Sequence, residues 1–273
     1  VLELFPGIGI LGRGFEHEGF CVVRGPEKFL GGDVRDFRAI TGRFDGVIAG
    51  SPCQDFSRAR RSPPTGAGIA MLEQFARVVT EAQPDWFLLE NVPGVPDVEI
   101  DGYSVQRFNL DARECGAQQR RLRRFQFGSR DGLIIVPARC SPMASGSQTC
   151  LATEGQKKQR RAWAEFCELQ GLPRDFRLEG FTIAAKYRAV GNGVHLDVAR
   201  TVARAIRDSM NAHAAGHVTQ PRLCACQCGR ALKGRQRAAT PGCRKRLERA
   251  RKQQRQTVTA QRPANQGESR NNL

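Results

Sequence analysis

Short apolar runs alternate with longer helical stretches through the first half of the chain. Strand-like runs fall at residues 1–5, 20–24, 46–49, 86–90 and 125–128. Between them, residues 11–18 and 71–82 carry apolar side chains at helical spacing, and residues 192–210 place Val194, Val198, Val202 and Ile206 on one helical face. Strands interleaved with helices predict an α/β fold built on a doubly wound, mostly parallel sheet. Gly- and Pro-rich stretches at 58–68 and 93–96 follow strands, on the side where an open sheet of this kind binds its ligands.

Beyond residue 128 the pattern weakens. Residues 129–159 have no sustained periodicity and predict an irregular connection, 160–169 a helix, and 171–176 its polar turn. Residues 219–223 read as a linker, and no internal repeat is found. With 273 residues, 40% of them hydrophobic, the chain is long enough for one such domain and an appendage, and it has no apolar run of the roughly 18 residues that would span a bilayer. The chain opens on a strand-like run, which leaves no room for a signal peptide; the lack of an initiating methionine suggests that the natural start lies upstream. A cytoplasmic protein is expected.

Charge changes the picture of the C-terminal part. The net charge is +16, yet residues 218–273 hold 14 Lys and Arg against 2 Asp and Glu, a net of +12, and leave only +4 for the rest. This is the footprint of a nucleic-acid partner concentrated in a tail. Six of the ten cysteines are scattered before residue 218 as reduced thiols would be. Cys224, Cys226, Cys228 and Cys243 instead crowd the tail as a candidate zinc site, although C-x-C-x-C departs from the usual C-x-x-C spacing.

The chemistry-bearing positions sit where strands end. Phe5-Pro6-Gly7-Ile8-Gly9 follows the first strand and leads into a helix, so its glycines let backbone approach a ligand; with Gly12 it leaves a dinucleotide site open. Glu27 follows about 20 residues on, placed for a ribose, and Asp33 is placed for an adenine amine. Pro52-Cys53-Gln54 follows the strand at 46–49, with Ser57 close behind. Glu90-Asn91-Val92 ends the strand at 86–90, and Gln119-Arg120-Arg121-Leu122-Arg123 precedes the last. Alternation in an extended segment would point Arg121 and Arg123 to the same side.

This ordered set resembles the cytosine-C5 DNA methyltransferases. The resemblance implies the class I S-adenosylmethionine-dependent methyltransferase fold and methyl transfer to C5 of cytosine in DNA. Cys53 would attack C6 as a thiolate, which makes C5 nucleophilic and splits one difficult step into easier ones. An electropositive setting is expected to keep Cys53 partly ionised, with Arg58, Arg60 and Arg61 nearby. By the same resemblance Glu90 holds N3 and the amine of a flipped cytosine, and Arg121 and Arg123 belong to the catalytic set. Phe5, Gly7, Gly9, Glu27, Asp33, Pro52, Met71 and Asn192 would hold S-adenosylmethionine, and Gln54, Ser57, Asn91 and Gln119 would meet the substrate. The target base must leave the stack to be reached.

Gly191-Asn192-Gly193-Val194 resembles the family's last motif with Gly193 in place of the usual serine, and residues 163–176 resemble its ninth. Only 129–159 is then free to read bases, so a reduced target-recognition region is expected. The expected domains are a catalytic core at 1–128, the reduced region and ninth motif at 129–187, a helix completing the core at 188–217, and a basic Cys-rich tail at 218–273. The partner is expected to be double-stranded DNA acting on a monomer in a bacterial or phage-infected cell, with or without a restriction enzyme. Three other readings stay open. A tRNA cytosine methyltransferase would add a Cys-Phe-Thr segment, which is not found; a silent nucleic-acid-binding protein would not need Cys53, Glu90 and Arg121; an NAD-dependent oxidoreductase lacks a His or Tyr acid near the motifs.

Overall fold

The computed structural model describes residues 1–57, 60, 62–141, 148–216, 221–226, 228–232 and 236–260, with side chains through residue 250. Its centre is a six-stranded sheet made of β1 (Leu2–Leu4), β2 (Val23–Arg24), β3 (Gly46–Gly50), β4 (Trp86–Asn91), β5 (Ser104–Asp111) and β6 (Leu122–Ser129), in the order β2-β1-β3-β4-β6-β5. The first four strands are parallel, and β6 runs antiparallel to both β4 and β5. The sheet is therefore mixed, a parallel half closed by an antiparallel pair at one edge.

Helices cover both faces. The α1 helix (Ile10–His17) and the long α5 (Leu196–Ala214) lie on one face, where Leu88, Phe125 and Phe127 meet Phe15, Val198, Val202 and Ile206. The α2 helix (Ala67–Ala82) covers the other, packing Leu72, Phe75 and Val79 on Val47, Phe87 and Leu89. Each such side chain taken wholly out of water contributes about 1.5–3 kcal/mol, which is why the strands read as near-continuous apolar runs. α3 (Trp163–Leu169) and α4 (Ile183–Asn192) pack through Trp163, Phe166 and Tyr187.

Two elements depart from the sequence reading. The helix expected over 192–210 is two helices: α4 ends at Asn192, and α5 starts only after His195, whose Nδ1 accepts the Asp197 N–H at 3.1 Å as its cap. Strand β5 was not expected, because Gln106, Arg107 and Asn109 interrupt its apolar alternation. Gln106 earns its place differently, its amide bonding the N–H and the carbonyl of Ile135 as a neighbouring strand would.

The parallel half sets the site. β1 lies between β2 and β3, so the chain leaves β1 and β3 in opposite directions and opens a crevice beyond their C-terminal ends. The turn after β1 and the Pro52-Cys53-Gln54 turn after β3 both leave into that crevice, and the register Gly50↔Glu90 brings the end of β4 level with them.

Candidate active site

The turn after β1 curls tightly. Phe5, Gly7 and Gly9 all have positive φ, of 52°, 55° and 74°, and Phe5 accepts the strain that glycine would avoid. The Glu27 carboxylate sits behind the turn, accepting the Gly7 N–H at 2.8 Å and the Phe29 N–H at 3.4 Å.

Beyond this turn opens a cleft of about 670 Å3, counted out to solvent. Its walls bring together Phe5, Gly7, Pro52, Cys53, Gln54, Glu90, Asn91, Arg123 and Asn192 from the expected set. Asn91 links two of these walls. Its Nδ2 donates to the Ser51 hydroxyl at 2.8 Å and the Ser51 carbonyl at 3.1 Å, while its Oδ1 accepts the Val92 N–H, so the Cys53 turn is tied to the end of β4.

Glu90 is buried, with Arg123 Nε 2.9 Å from its Oε1. That contact misses hydrogen-bond geometry, and Glu90 Oε1 has no hydrogen-bond partner among the described residues. Burial pushes the Glu90 carboxyl up, against the pull of Arg123 and Arg121. The Cys53 thiol is pushed up as well, by burial first and then by Glu90, and the same two arginines draw it down. The setting expected to keep Cys53 partly ionised is therefore mixed: Arg123 and Arg121 favour the thiolate, while burial and Glu90 oppose it. Arg60, expected to assist it, turns away and donates to the Asp55 carbonyl; Arg58 and Arg61 lie outside the described residues.

Arg121 does not face the cleft beside Arg123. It is buried, and its Nη2 donates to the carbonyls of Gly191 at 2.8 Å and Gly193 at 2.5 Å, on either side of Asn192. Burial, then Arg123, lowers its pKa to about 9. Arg121 precedes β6, which starts at Leu122, so the alternation that would have paired the two arginines does not extend to it. Gln119 is fully enclosed too, its Nε2 donating to the Leu169 carbonyl and Gln170 Oε1 and its Oε1 accepting the Cys150 N–H. It ties Cys150 to the C-terminal end of α3 and has no surface to offer a substrate.

Four expected cofactor contacts, Gly9, Glu27, Asp33 and Met71, are not part of the cleft wall. Glu27 is behind the turn; Asp33 is clamped by Arg35, which holds its carboxyl far below the usual range; Met71 packs on the α2 face of the sheet. Ser57, expected to meet substrate, is half-buried outside the cleft wall.

Glu3 was missed. It lies on β1 at the cleft, accepts the Gly12 N–H at 2.8 Å, and leaves Oε2 without a hydrogen bond among the described residues. Burial raises its pKa to about 7. A carboxylate in the middle of Val1-Leu2-Glu3-Leu4-Phe5 was the available signal, masked because the same alternation fits a half-solvated strand.

Comparison with known proteins agrees with this geometry. The family model described as C-5 cytosine-specific DNA methylase matches residues 1–160, more than half of the chain. Type II methyltransferase M.HgiDI of Herpetosiphon aurantiacus is 30% identical over 164 residues, covering 49% of this chain and 53% of that protein. Type II methyltransferase M.FnuDI of Fusobacterium nucleatum is 30% identical over 168 residues, covering 50% and 48%. The chain thus spans about half the length of these two relatives. The crystal structure of the S. pombe Dnmt2 methyltransferase superposes with a TM-score of 0.55 at 13% identity, covering 78% of this chain and 98% of that one, a likeness of fold.

Proposed function

Since the chain belongs to the C-5 cytosine-specific DNA methylase family, we propose that it transfers a methyl group from S-adenosylmethionine to C5 of cytosine in double-stranded DNA, with Cys53 as the nucleophile. The observation that carries this reading is one cleft that presents both Cys53 and the buried Glu90 carboxyl, ion-paired with Arg123, beside a Gly-turn. A thiol and a carboxyl at the ends of adjacent strands are the two groups that attack at C6 and proton management at N3 require.

The cleft fits the methyl donor. Its walls include the positive-φ turn at Phe5–Gly9, where backbone comes close to a ligand, and two buried acceptors without hydrogen bonds, Glu3 Oε2 and Glu90 Oε1, that suit a ligand rich in donors. Phe5, Gly7, Asn192 and Pro52 are the residues that would hold it, and Glu3 joins them; Glu27 acts by holding the turn. When bound, S-adenosylmethionine supplies an electrophilic methyl group.

The residues then divide the work. Cys53 Sγ forms a bond to C6 as its proton leaves, and the ring π electrons shift so that C5 becomes nucleophilic. Glu90, held toward its protonated form by burial, donates to N3 or accepts from the exocyclic amine, which keeps charge off the ring during attack. Arg123 lies against both groups and favours the ionised form of each. After methylation the C5 proton is lost and the C6–S bond breaks, returning the electron pair to Cys53. A cytosine reaches Cys53 in this cleft only when flipped from the duplex.

The test is Cys53→Ser. The variant should transfer no labelled methyl group to duplex DNA while binding S-adenosylmethionine within about 2-fold of the parent; full activity would remove Cys53 from the chemistry. Running duplex DNA and tRNA in parallel, with nucleoside analysis of each product, separates the DNA reading from its nearest relative.

A further inference from the structure

Four thiols converge at the start of the tail. Cys224, Cys226 and Cys228 lie in a short turn, and Cys243 lies in the first turn of α6 (Pro241–Ala260), yet all four Sγ atoms lie within 4.8 Å of one another. Cys224 and Cys226 Sγ are 3.5 Å apart, and Cys228 and Cys243 Sγ 3.6 Å. A disulfide needs about 2.05 Å. Four sulfurs at about 2.3 Å from a tetrahedral zinc ion stand about 3.8 Å apart, so the spacing is that of a metal site.

The surroundings agree. Among the described residues, buried Cys224, Cys228 and Cys243 have Cys226, Leu232, Ala238 and Ala239 packed around them, too little apolar surface to hold such a fold by itself. Apart from the thiols, the polar groups aimed at the sulfurs are donors. The Ala239 N–H points at Cys224 Sγ from 3.3 Å and the Thr240 hydroxyl at Cys243 Sγ from 3.1 Å, with Arg246 3.8 Å from Cys226 Sγ. Donors around sulfur suit thiolates that a metal has stripped of their protons.

The turn is also seated on the core. The Cys228 carbonyl accepts from Arg139 Nη2 at 2.6 Å, Arg139 Nη1 pairs with Glu114 at 2.7 Å, and Arg230 pairs with the same carboxylate. Gly229, at φ 73°, lies so close to the edge strand that a Cβ there would stand 2.5 Å from Phe108 Cβ. Phe108 stacks on Phe125 with ring centroids 5.4 Å apart, and Phe125 is paired with Glu90. One row of the sheet thus runs from Gly50 at the Cys53 turn through Glu90, Phe125 and Phe108 to Gly229.

We propose that Cys224, Cys226, Cys228 and Cys243 bind one zinc ion as thiolates, and that the ion makes the turn a clamp which fastens the tail to the sheet edge level with Glu90. The clamp fixes the point from which α6 departs. That helix carries seven Lys and Arg against one Glu over 20 residues, a rod of roughly 30 Å. Set rigidly near the active-site edge, it suits contact with phosphates flanking the target cytosine. This use of the helix rests on the proposed methyl transfer to DNA; the zinc clamp does not.

The whole chain, purified from zinc-supplemented cultures without chelator, should contain one zinc per molecule by elemental analysis. The Cys228→Ser/Cys243→Ser double variant should contain none, and Cys21→Ser, an exposed cysteine elsewhere, should keep it. Exchange with cobalt(II) should give the intense charge-transfer absorption of four thiolates. Hydrogen exchange without DNA should show residues 221–246 losing protection when zinc is removed, and Gly229→Ala should lose that protection while retaining the ion. Metal-free protein that binds neither zinc nor cobalt overturns the site, whether or not the parent methylates DNA. A tail equally protected with and without the ion overturns the clamp.

Discussion

Arg121 tests whether the buried arginine binds nucleic acid or braces the cofactor wall. Replacing it with Met keeps much of its volume and removes the donors that hold the Gly191 and Gly193 carbonyls at 2.8 and 2.5 Å. Charge-assisted bonds of this kind contribute about 1.5–3 kcal/mol each. The loss is offset because Gln170 Nε2 still donates to the Gly193 carbonyl at 2.7 Å, and because a guanidinium no longer has to be kept out of water. The net destabilisation should be about 2–4 kcal/mol, read as a fall in the urea midpoint of the full chain. Since Asn192 lies between the two carbonyls and lines the cleft, S-adenosylmethionine affinity by calorimetry should fall at least 10-fold. Unchanged stability and cofactor affinity, with a raised KM for DNA, would show that Arg121 touches the substrate and that the bracing role is wrong.

Two carboxylates give pH predictions of opposite sign. Burial raises Glu3 to about 7, so between roughly pH 4.5 and 7 the unfolded chain is the more ionised, and stability falls as pH rises through that window. The loss is of order 3 kcal/mol for the cofactor-free protein, and Glu3→Gln should flatten it in denaturation curves taken from pH 5 to 8; an unchanged slope would mean that Glu3 is ionised in the fold. Glu18 is held below the usual range, chiefly by Arg204, and bonds Arg200 and Arg207 as well. Its contribution is present above about pH 4.3 and lost below it. Glu18→Gln should cost about 1–3 kcal/mol at neutral pH, discounted because the arginines are partly exposed; equal stability of variant and parent at pH 7 would rule the cluster out as a brace.

The sequence was most informative where burial on both faces or a strand end constrained it. The runs at 46–49 and 86–90 had to be central strands because both faces are covered, and the turns after them had to open into the crevice, which located Cys53 and Glu90. β5 and α4 escaped because their stabilising contacts are long-range. Gln106 is held by Ile135 and Gly191 by Arg121, neither of which a local window can show. The same limit applies to Arg121 and Arg123: their spacing gave both one direction, and only long-range partners, the Gly191 and Gly193 carbonyls for one and Glu90 for the other, separate them. For Cys53 the sequence pointed to the arginines of its own loop, whereas the groups that act on the thiol in space are Glu90, Arg123 and Arg121, together with burial.

The pairing of α1 with α5 through Glu18 joins residues separated by more than 180 positions. During synthesis at about 5–20 residues per second, Phe15 and the apolar face of the early strands would wait roughly 10–40 s for α5 to emerge. Until α5 emerges, α1 alone of the two helices covers that face of the sheet, and Leu88, Phe125 and Phe127 lack the apolar side chains of α5 that bury them. Slower elongation lengthens that interval, so the folded yield of this protein should fall as translation slows.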